Sequence, residues 1–290
     1  MTQLIHADKY FATARERYRI KLKRDAGESW PWSKDSHFQT WSFTNVHREM
    51  DKTTVWLREN IREPLIERYK TDTKEFVDLK IVESIMVFRW FNRISTGEII
   101  KDLLLNKWDS REAHRRLVDV NPIFTGAYVI VGVPGQSKLD GVLEAIDAAL
   151  PQLPFMVPHW GTSLEETWKD LKTINYQGGF TAYEIVMDLR YTPVLEKAKD
   201  TMLWGNLGPG AIRGMSWVLY GNADSLNNSV SGQKQMLSWM TELLEMSKLE
   251  ENWPQIWPHW EMHEIEMWLC EHAKYMRSYE GYRQKRRYQR

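Results

Sequence analysis

Apolar residues along this chain recur mostly three and four apart, the spacing of one buried helix face, and a single stretch departs from it into a β-branched run. Ile5, Tyr10, Phe11, Ala14, Tyr18 and Leu22 approximate one stripe with arginines and lysines outward, which predicts an amphipathic helix over residues 1–26. Ala26 to Trp32 then turns, because Gly27 and Pro31 break the pattern and Trp30 is biased away from helix by the proline after it. Thr44 is the expected N-cap of a helix running to about Arg62, with Val46, Met50 and Leu57 on its buried side and Pro64 interrupting or restarting it. Val82 to Asn92 reads as a mainly buried helix, and helical spacing returns over Lys138 to Leu150 and Leu164 to Leu171. Further helices are expected after Gly179, with Ala182, Ile185, Val186 and Leu189 inward, after Gly210, over Gln233 to Leu249, and from about Trp257 to Tyr275. The exception, Ala127-Tyr128-Val129-Ile130-Val131-Gly132-Val133, predicts a short strand, one arm of a small hairpin marking an insertion. The expected class is mainly α with a small β insertion.

Composition narrows the partners. At 290 residues there is ample material for a core, in one large domain or two closely packed ones. Formal net charge is zero, so attraction to nucleic acid must come from local patches. Two exist: Arg15 to Arg24 carries six basic residues, and Arg283, Lys285, Arg286, Arg287 and Arg290 lie near the end. If both line one groove, binding is strongly salt-dependent. The lone Cys270 excludes an intramolecular disulfide and a multi-cysteine zinc site, and fits a reducing cytoplasm. No apolar run approaches a membrane span, and no signal peptide opens the chain. Fifteen tryptophans are mostly core, with a few available as stacking platforms for unpaired bases.

Candidate chemistry sits in a few places. On a helix from Thr44, Asn45, Arg48, Glu49 and Lys52 share one face, either as a solvated charge ladder or as a seat for a polar ligand. Arg89 and Asn92 lie on one side of a buried helix, and a buried arginine needs an acid such as Glu83 or an anionic ligand. Glu184 and Asp188 are four apart, flanked by Tyr183 and Arg190, so they are either surface acids or a coupled pair with one raised pKa. Leu207-Gly208-Pro209-Gly210-Ala211 entering a helix resembles the hairpin of helix-hairpin-helix DNA-binding proteins, with Arg213 one turn on. Glycines there let backbone approach a phosphate, and the helix start offers free amides. His259 and His263 have the spacing of a two-histidine metal face, but no third ligand is evident and hydrogen-bonded histidines are the plainer reading. There is no P-loop, so the chain itself is not expected to use ATP.

Four ordered motifs carry a resemblance. Arg17-x-x-Ile20-x-Leu22-Lys23-Arg24, Pro31-Trp32-Ser33-x-Asp35 and Phe43-Thr44-Asn45-Val46-x-Arg48-Glu49-x-Asp51-x-x-Thr54 open the chain, and Glu266-x-x-Leu269-Cys270-Glu271-x-x-Lys274-Tyr275 comes near its end. Together with Gly179 to Arg190 and the Gly208 hairpin, this set resembles the alpha-glutamyl/putrescinyl thymine pyrophosphorylase family, helical proteins mostly of phages grouped with DNA glycosylases. The resemblance implies a helix-hairpin-helix, glycosylase-like catalytic domain over 1–290, with 1–103 plus 172–290 as the core and 104–171 as a variable insertion with short strands. It implies displacement of pyrophosphate from 5-pyrophosphoryloxymethyluracil in DNA by an amine, either an amino acid such as glycine or a polyamine. Double-stranded DNA with modified thymine and a functionally linked 5-hydroxymethyluracil DNA kinase are the implied partners, in host cytoplasm, with no membrane, metal or cofactor beyond the amine.

The reaction needs an extruded base, a stabilised leaving group and a deprotonated amine. Asn45 suits a uracil edge, with Asp35 and Asn92 beside the substrate, and Trp32 or Tyr183 could stack. Arg48, Arg89 or Arg213 would hold pyrophosphate. Asp188, Glu49, Asp51 or Glu184 would take the proton, and Asp188→Asn is expected to abolish transfer while sparing DNA binding. Arg17, Arg19, Lys21, Lys23, Arg24, Gly208, Gly210, Arg213, Lys274 and Arg283 are the expected DNA contacts. The alternatives are a glycosylase excising a modified pyrimidine such as 5-hydroxymethyluracil and a non-catalytic DNA-binding subunit.

Overall fold

The computed structural model describes residues 4–226, 230–282 and 287, and the architecture is helical. The main helices in order are α1 (Ala7–Asp25), α2 (Ser36–Thr40), α3 (Lys52–Leu57), α4 (Glu63–Glu67), α5 (Lys74–Phe91), α6 (Ile94–Leu105) and α7 (Ser110–Leu117). They continue as α8 (Lys138–Ala149), α9 (Leu153–Met156), α10 (Leu164–Leu171), α11 (Gly179–Leu189), α12 (Pro209–Tyr220), α13 (Val230–Met246) and α14 (Met262–Tyr279). None among the described residues is long and apolar enough to cross a membrane. The chain divides into two compact units, Met1–Asp51 with Thr201–Arg290, and Lys52–Asp200. The boundaries expected at 103/104 and 171/172 are not where this division falls.

In the first unit α1 lies in a core shared with α12, α13 and α14. Its buried stripe is Tyr10, Phe11, Ala14 and Tyr18 as the spacing predicts, but Ile5 and Leu22 are exposed and Ile20 and Arg17 turn inward instead. The Tyr10 hydroxyl donates to the Ile265 carbonyl at 3.1 Å and Trp268 Nε1 donates to the Tyr10 carbonyl at 3.1 Å, so α1 and α14 are cross-bonded as well as packed. α12 meets α14 through Gly210 and Gly214, one turn apart. A Cβ on Gly210 would sit 2.7 Å from Cys270 Sγ, and one on Gly214 would overlap the Leu269 carbonyl. The glycines therefore serve helix–helix approach, with only Gly208 left in open space. α14 starts at Met262 rather than near Trp257, where a capping box between Glu261 and Glu264 satisfies its first amides.

The second unit is built around α5, whose N-cap Thr73 accepts from the Phe76 amide and which is buried on nearly every side. Ahead of it, Arg58–Arg62 forms a π-turn, and Pro64 falls in the first turn of α4, where no amide is needed. The chain thus passes Pro64 without losing helix. Trp56 stacks on Phe88 at 5.0 Å, and Gly97 leaves room for both rings.

Two expectations are corrected. No helix starts at Thr44: residues 42–47 are irregular, followed by a 3-10 turn at Arg48–Met50, because the Asn45 side chain binds backbone and carboxylate within the loop in place of helical partners. Nor is there a strand at 127–133 among the described residues. That segment is irregular, bent at 127–128, and has no ladder partner among the described residues, and its Val133 amide donates to the Gly141 carbonyl in α8, where Gly132 and Gly141 let the two backbones touch. Val129 and Val131, which a strand would need to bury or pair, are exposed.

Gly214→Ala should lower the denaturation midpoint by about 2 kcal/mol or more in free energy, as overpacking against backbone does. Gly208→Ala, with ordinary φ and open space, should fall within about 0.5 kcal/mol of the parent in the same urea titration.

Candidate functional site

In the first unit the 43–51 segment, where most of the expected chemistry lies, is held from two helices. Arg17 of α1 donates from Nε and Nη2 to the Phe43 carbonyl, each at 3.2 Å. Glu271 of α14 accepts from the Thr44 amide at 3.0 Å and from Lys274 Nζ at 3.2 Å. Within the loop Asn45 Nδ2 donates to the Met50 carbonyl at 2.7 Å and to Asp51 Oδ1 at 3.0 Å, and the Asn45 amide donates to the same carboxylate oxygen at 2.9 Å. Two acceptors face the side-chain nitrogen, which fixes its orientation and leaves Asn45 Oδ1 buried with no hydrogen-bond partner among the described residues. Asn45 thus gives its donors to the loop and keeps only an acceptor for any base edge.

Burial pushes the Asp51 carboxyl up to about 6, while the Asn45 amide and the charges of Arg17 and Arg48 pull the other way. A carboxyl so placed changes charge just below neutral pH, which is the range a general acid or base works in. Arg48 is buried in the same loop and Glu49 is half-buried. His47 Nδ1 lies 3.5 Å from Glu264 Oε1, and its Nε2 is buried without a partner. Burial raises Glu264, but the His47 hydrogen bond and neighbouring His263 outweigh it and hold the carboxyl below its ordinary value.

The basic arm divides. Arg17 points into the protein and is corrected from a DNA contact to a loop anchor. Lys21 pairs with Asp25, and Lys23 Nζ donates to the Trp32 carbonyl at 3.1 Å. Arg24 lies 5.4 Å from the Trp32 ring centre, so two of the arm's cations hold the Trp30–Trp32 elbow. Arg19 is more than half exposed beside Glu16. Asp35 caps α2 through the His37 amide and accepts from the Tyr275 hydroxyl at 2.7 Å, a structural role. Lys274 lies over Phe43 as well as against Glu271. Arg283 lies outside the described residues.

α12, where the sequence suggested a phosphate contact, has an open start. Gly208 is the N-cap and no side chain caps the helix, Pro209 has no amide to satisfy, and Arg213 is exposed one turn on. Gly210 is occupied by its packing against Cys270.

In the second unit Arg89 finds its acid in Asp188, not in Glu83, which pairs with Lys80 at 3.4 Å. Arg89 Nε and Nη2 donate to the two Asp188 oxygens, the latter at 2.7 Å, in a bidentate fork. Nη1 donates to Asn92 Oδ1 at 2.7 Å and Nη2 to Thr54 Oγ1 at 3.0 Å. Arg62 Nη1 adds a 3.4 Å bond to the Asp188 carbonyl. Asn92 ends α5 in the left-handed region at φ 46°, a conformation asparagine tolerates. With side-chain exposures of 2% and 0%, the Arg89–Asp188 pair has the placement of a structural ion pair. Tyr183 is core, and Glu184 is half-buried on the same helix. Asn45, Asp51 and Arg213 belong to one unit, and Arg89, Asn92, Tyr183, Glu184 and Asp188 to the other.

Among the described residues no group of three His, Cys, Asp or Glu side chains could hold a metal ion. His259 is exposed ahead of α14 while His263 is buried within it, so the two do not form a face. Sequence spacing missed the His47–Glu264 contact, which joins positions far apart in the chain.

Replacing Asp188 by Asn should cost about 3–5 kcal/mol in a urea titration, because it strands a buried guanidinium. Asp51 gives a pH signature. Its folded pKa lies above the ordinary value, so the folded state holds the extra proton, and this group's contribution to stability falls as pH rises from about 4 through 6. Asp51→Asn keeps an acceptor for the Asn45 amide. It should match the parent near pH 4 and exceed it by up to about 3 kcal/mol at pH 7 to 8, measured by denaturation at each pH.

Comparison with known proteins adds the following. Residues 5–284 match a family described as "5-hmdU DNA kinase, helical domain". A 5-hmdU DNA kinase of Bacillus phage SP10 is 26% identical over an alignment of 304 positions, covering 94% of this chain and 45% of the phage protein. The chain thus spans less than half the length of that relative. No solved structure matches it.

Proposed function

The chain belongs to the family of 5-hmdU DNA kinase helical domains, and from that premise we propose that it acts in thymine hypermodification of phage DNA by engaging the strand that carries 5-hydroxymethyluracil. The observation that carries this reading is the uncapped start of α12 with open space at Gly208 and exposed Arg213, which suits a DNA phosphate. Such contacts position a duplex without reading its sequence. Recognition of the modified base then falls to the 43–51 segment, where Asn45 Oδ1 is an acceptor without a partner.

The finer chemistry we propose is displacement of pyrophosphate from 5-pyrophosphoryloxymethyluracil. An amine nitrogen bonds to the 5-methylene carbon, the carbon–oxygen bond to pyrophosphate breaks, and the ammonium proton passes to a carboxylate. The ordered resemblance to thymine pyrophosphorylases supports this, as does Asp51, whose carboxyl is basic enough near neutral pH to receive that proton. Asp51 takes the role in preference to Asp188, which Arg89 occupies. An amino acid or polyamine is the co-substrate, a kinase supplies the phosphorylated base, and no other cofactor is required.

Two measurements test the proposal. Binding of hydroxymethyluracil duplex should weaken at least tenfold in Arg213→Glu, with a shallower salt dependence, and unchanged binding would remove the α12 seat. Nucleoside mass spectrometry after incubation with pyrophosphorylated DNA and an amine should give a heavier, amine-bearing nucleoside that Asp51→Asn fails to form. Abasic sites instead would mean a glycosylase, and salt-sensitive binding with no altered base would limit the chain to DNA engagement.

A further inference from the structure

The second unit contains a cavity of about 550 Å³ between the 129–131 segment and the start of α11. That volume lies in the range of small-molecule sites. Val129, Ile130 and Val131 give it an apolar side, and Ile174 closes its floor. Tyr176 and Phe180, both about half exposed, stand at its edge as flat aromatic surfaces.

The polar lining combines the start of α11, Lys172 and Gln177 with Asn175 and Thr181, whose side chains can donate as well as accept. α11 is eleven residues long, its N-cap is Gly178, and among the described residues no side chain caps it, so the amides of its first turn are open to an outside acceptor. Gln177 is 4% exposed and lines the cavity. Its Oε1 accepts from Trp90 Nε1 at 2.7 Å, and because an indole only donates, the oxygen end of the amide is fixed there. Nε2 is left buried with no hydrogen-bond partner among the described residues. A buried amide nitrogen in that position costs about 1–3 kcal/mol unless something accepts from it. Lys172 also lines the cavity, its ammonium 3.9 Å from the Trp168 ring centre, while Trp168 Nε1 donates to the Gly179 carbonyl at 2.8 Å. No acid is among the lining residues.

An uncapped helix start, a cation and a stranded amide donor call for an anion with several acceptor oxygens, and the adjacent rings and apolar side call for a planar body attached to it. We propose that this cavity binds a phosphate-bearing nucleotide, taken as a pyrimidine because the inference rests on the thymine chemistry proposed above, with the phosphate at the amide end of α11 beside Gln177 and Lys172 and the base along Tyr176 and Phe180. The site lies in a different unit from the α12 seat and does not depend on it. The nucleotide is either free in solution or the terminus of a DNA strand.

The test is calorimetric binding to the full chain of thymidine 5′-monophosphate, thymidine and inorganic phosphate, with 5′-phosphorylated and unphosphorylated thymidine oligonucleotides as competitors. The monophosphate should bind at least tenfold more tightly than thymidine or phosphate. Displacement by the phosphorylated oligonucleotide would identify a strand end as the source, and failure of that competitor would identify the free nucleotide. Two variants separate binding from folding. Gly178→Asp has an ordinary φ of −67° and open space for its side chain, so it supplies the missing cap. It should melt at least as high as the parent yet lose monophosphate binding tenfold or more. Gln177→Glu keeps the acceptor for Trp90 and replaces the inward donor by a carboxylate oxygen, and should lose binding to the same degree. Equal affinity for thymidine and its monophosphate, or parental affinity in both variants, would overturn the proposal. Binding of a duplex without 5′-phosphates depends on the α12 seat alone, so its loss in Arg213→Glu and the loss of monophosphate binding in Gly178→Asp read out separately.

Discussion

The Arg89–Asp188 pair is the constraint on which the second unit turns. Two opposite charges with almost no exposure are compensated by the groups around them: the fork between them, Asn92 and Thr54 on the guanidinium, and Arg62 on the neighbouring carbonyl. These partners come from α3, from the turn before α4, from the end of α5, and from α11. The pair thus fixes where α11 lies against α5. The first turn of α11 is then oriented by a contact made near its last turn, which is how a buried structural bond sets the aim of an uncapped helix start.

The first unit solves a different problem. Its loop at 43–51 has only the 3-10 turn at Arg48–Met50 to satisfy its backbone, so side chains do much of the work: Arg17 from α1, Glu271 from α14, and Asn45 and Asp51 within. Residues that look on paper like a reactive surface are therefore partly scaffold. Asp51 does both. The burial that lets it hold Asn45 also moves its proton affinity into the range where it is chemically useful.

Long amphipathic segments were legible from spacing: α1, α8, α10 and α11 lie close to where their apolar periods put them, while α5 ends as expected but starts at Lys74, well before Val82. What spacing could not supply was any partner distant in sequence. Glu83 was the natural acid for Arg89 within one helix, while Asp188 is 99 positions away. The charge pattern of α1 places Arg17 among outward cations, and only the Phe43 carbonyl explains why it turns inward. The β-branched run at 127–133 has strand propensity but no neighbour to pair with, since propensity expresses fit to a sheet that must exist first. The Asn45 loop carries helical spacing, but local hydrogen bonds to Met50 and Asp51 outcompete it.

The π-turn at Arg58–Arg62 gains meaning from its two flanks. Thr54 and Arg62 are eight positions apart, which in an unbroken α-helix would leave them roughly 80° out of phase. A widened turn takes up an extra residue and brings the two side chains back to one bearing, so that both address the same buried ion pair, Thr54 at its cation and Arg62 at the backbone of its anion. The irregularity acts as an angular correction: an unbroken α-helix over the same residues would turn one of the two supports away from the charges it steadies.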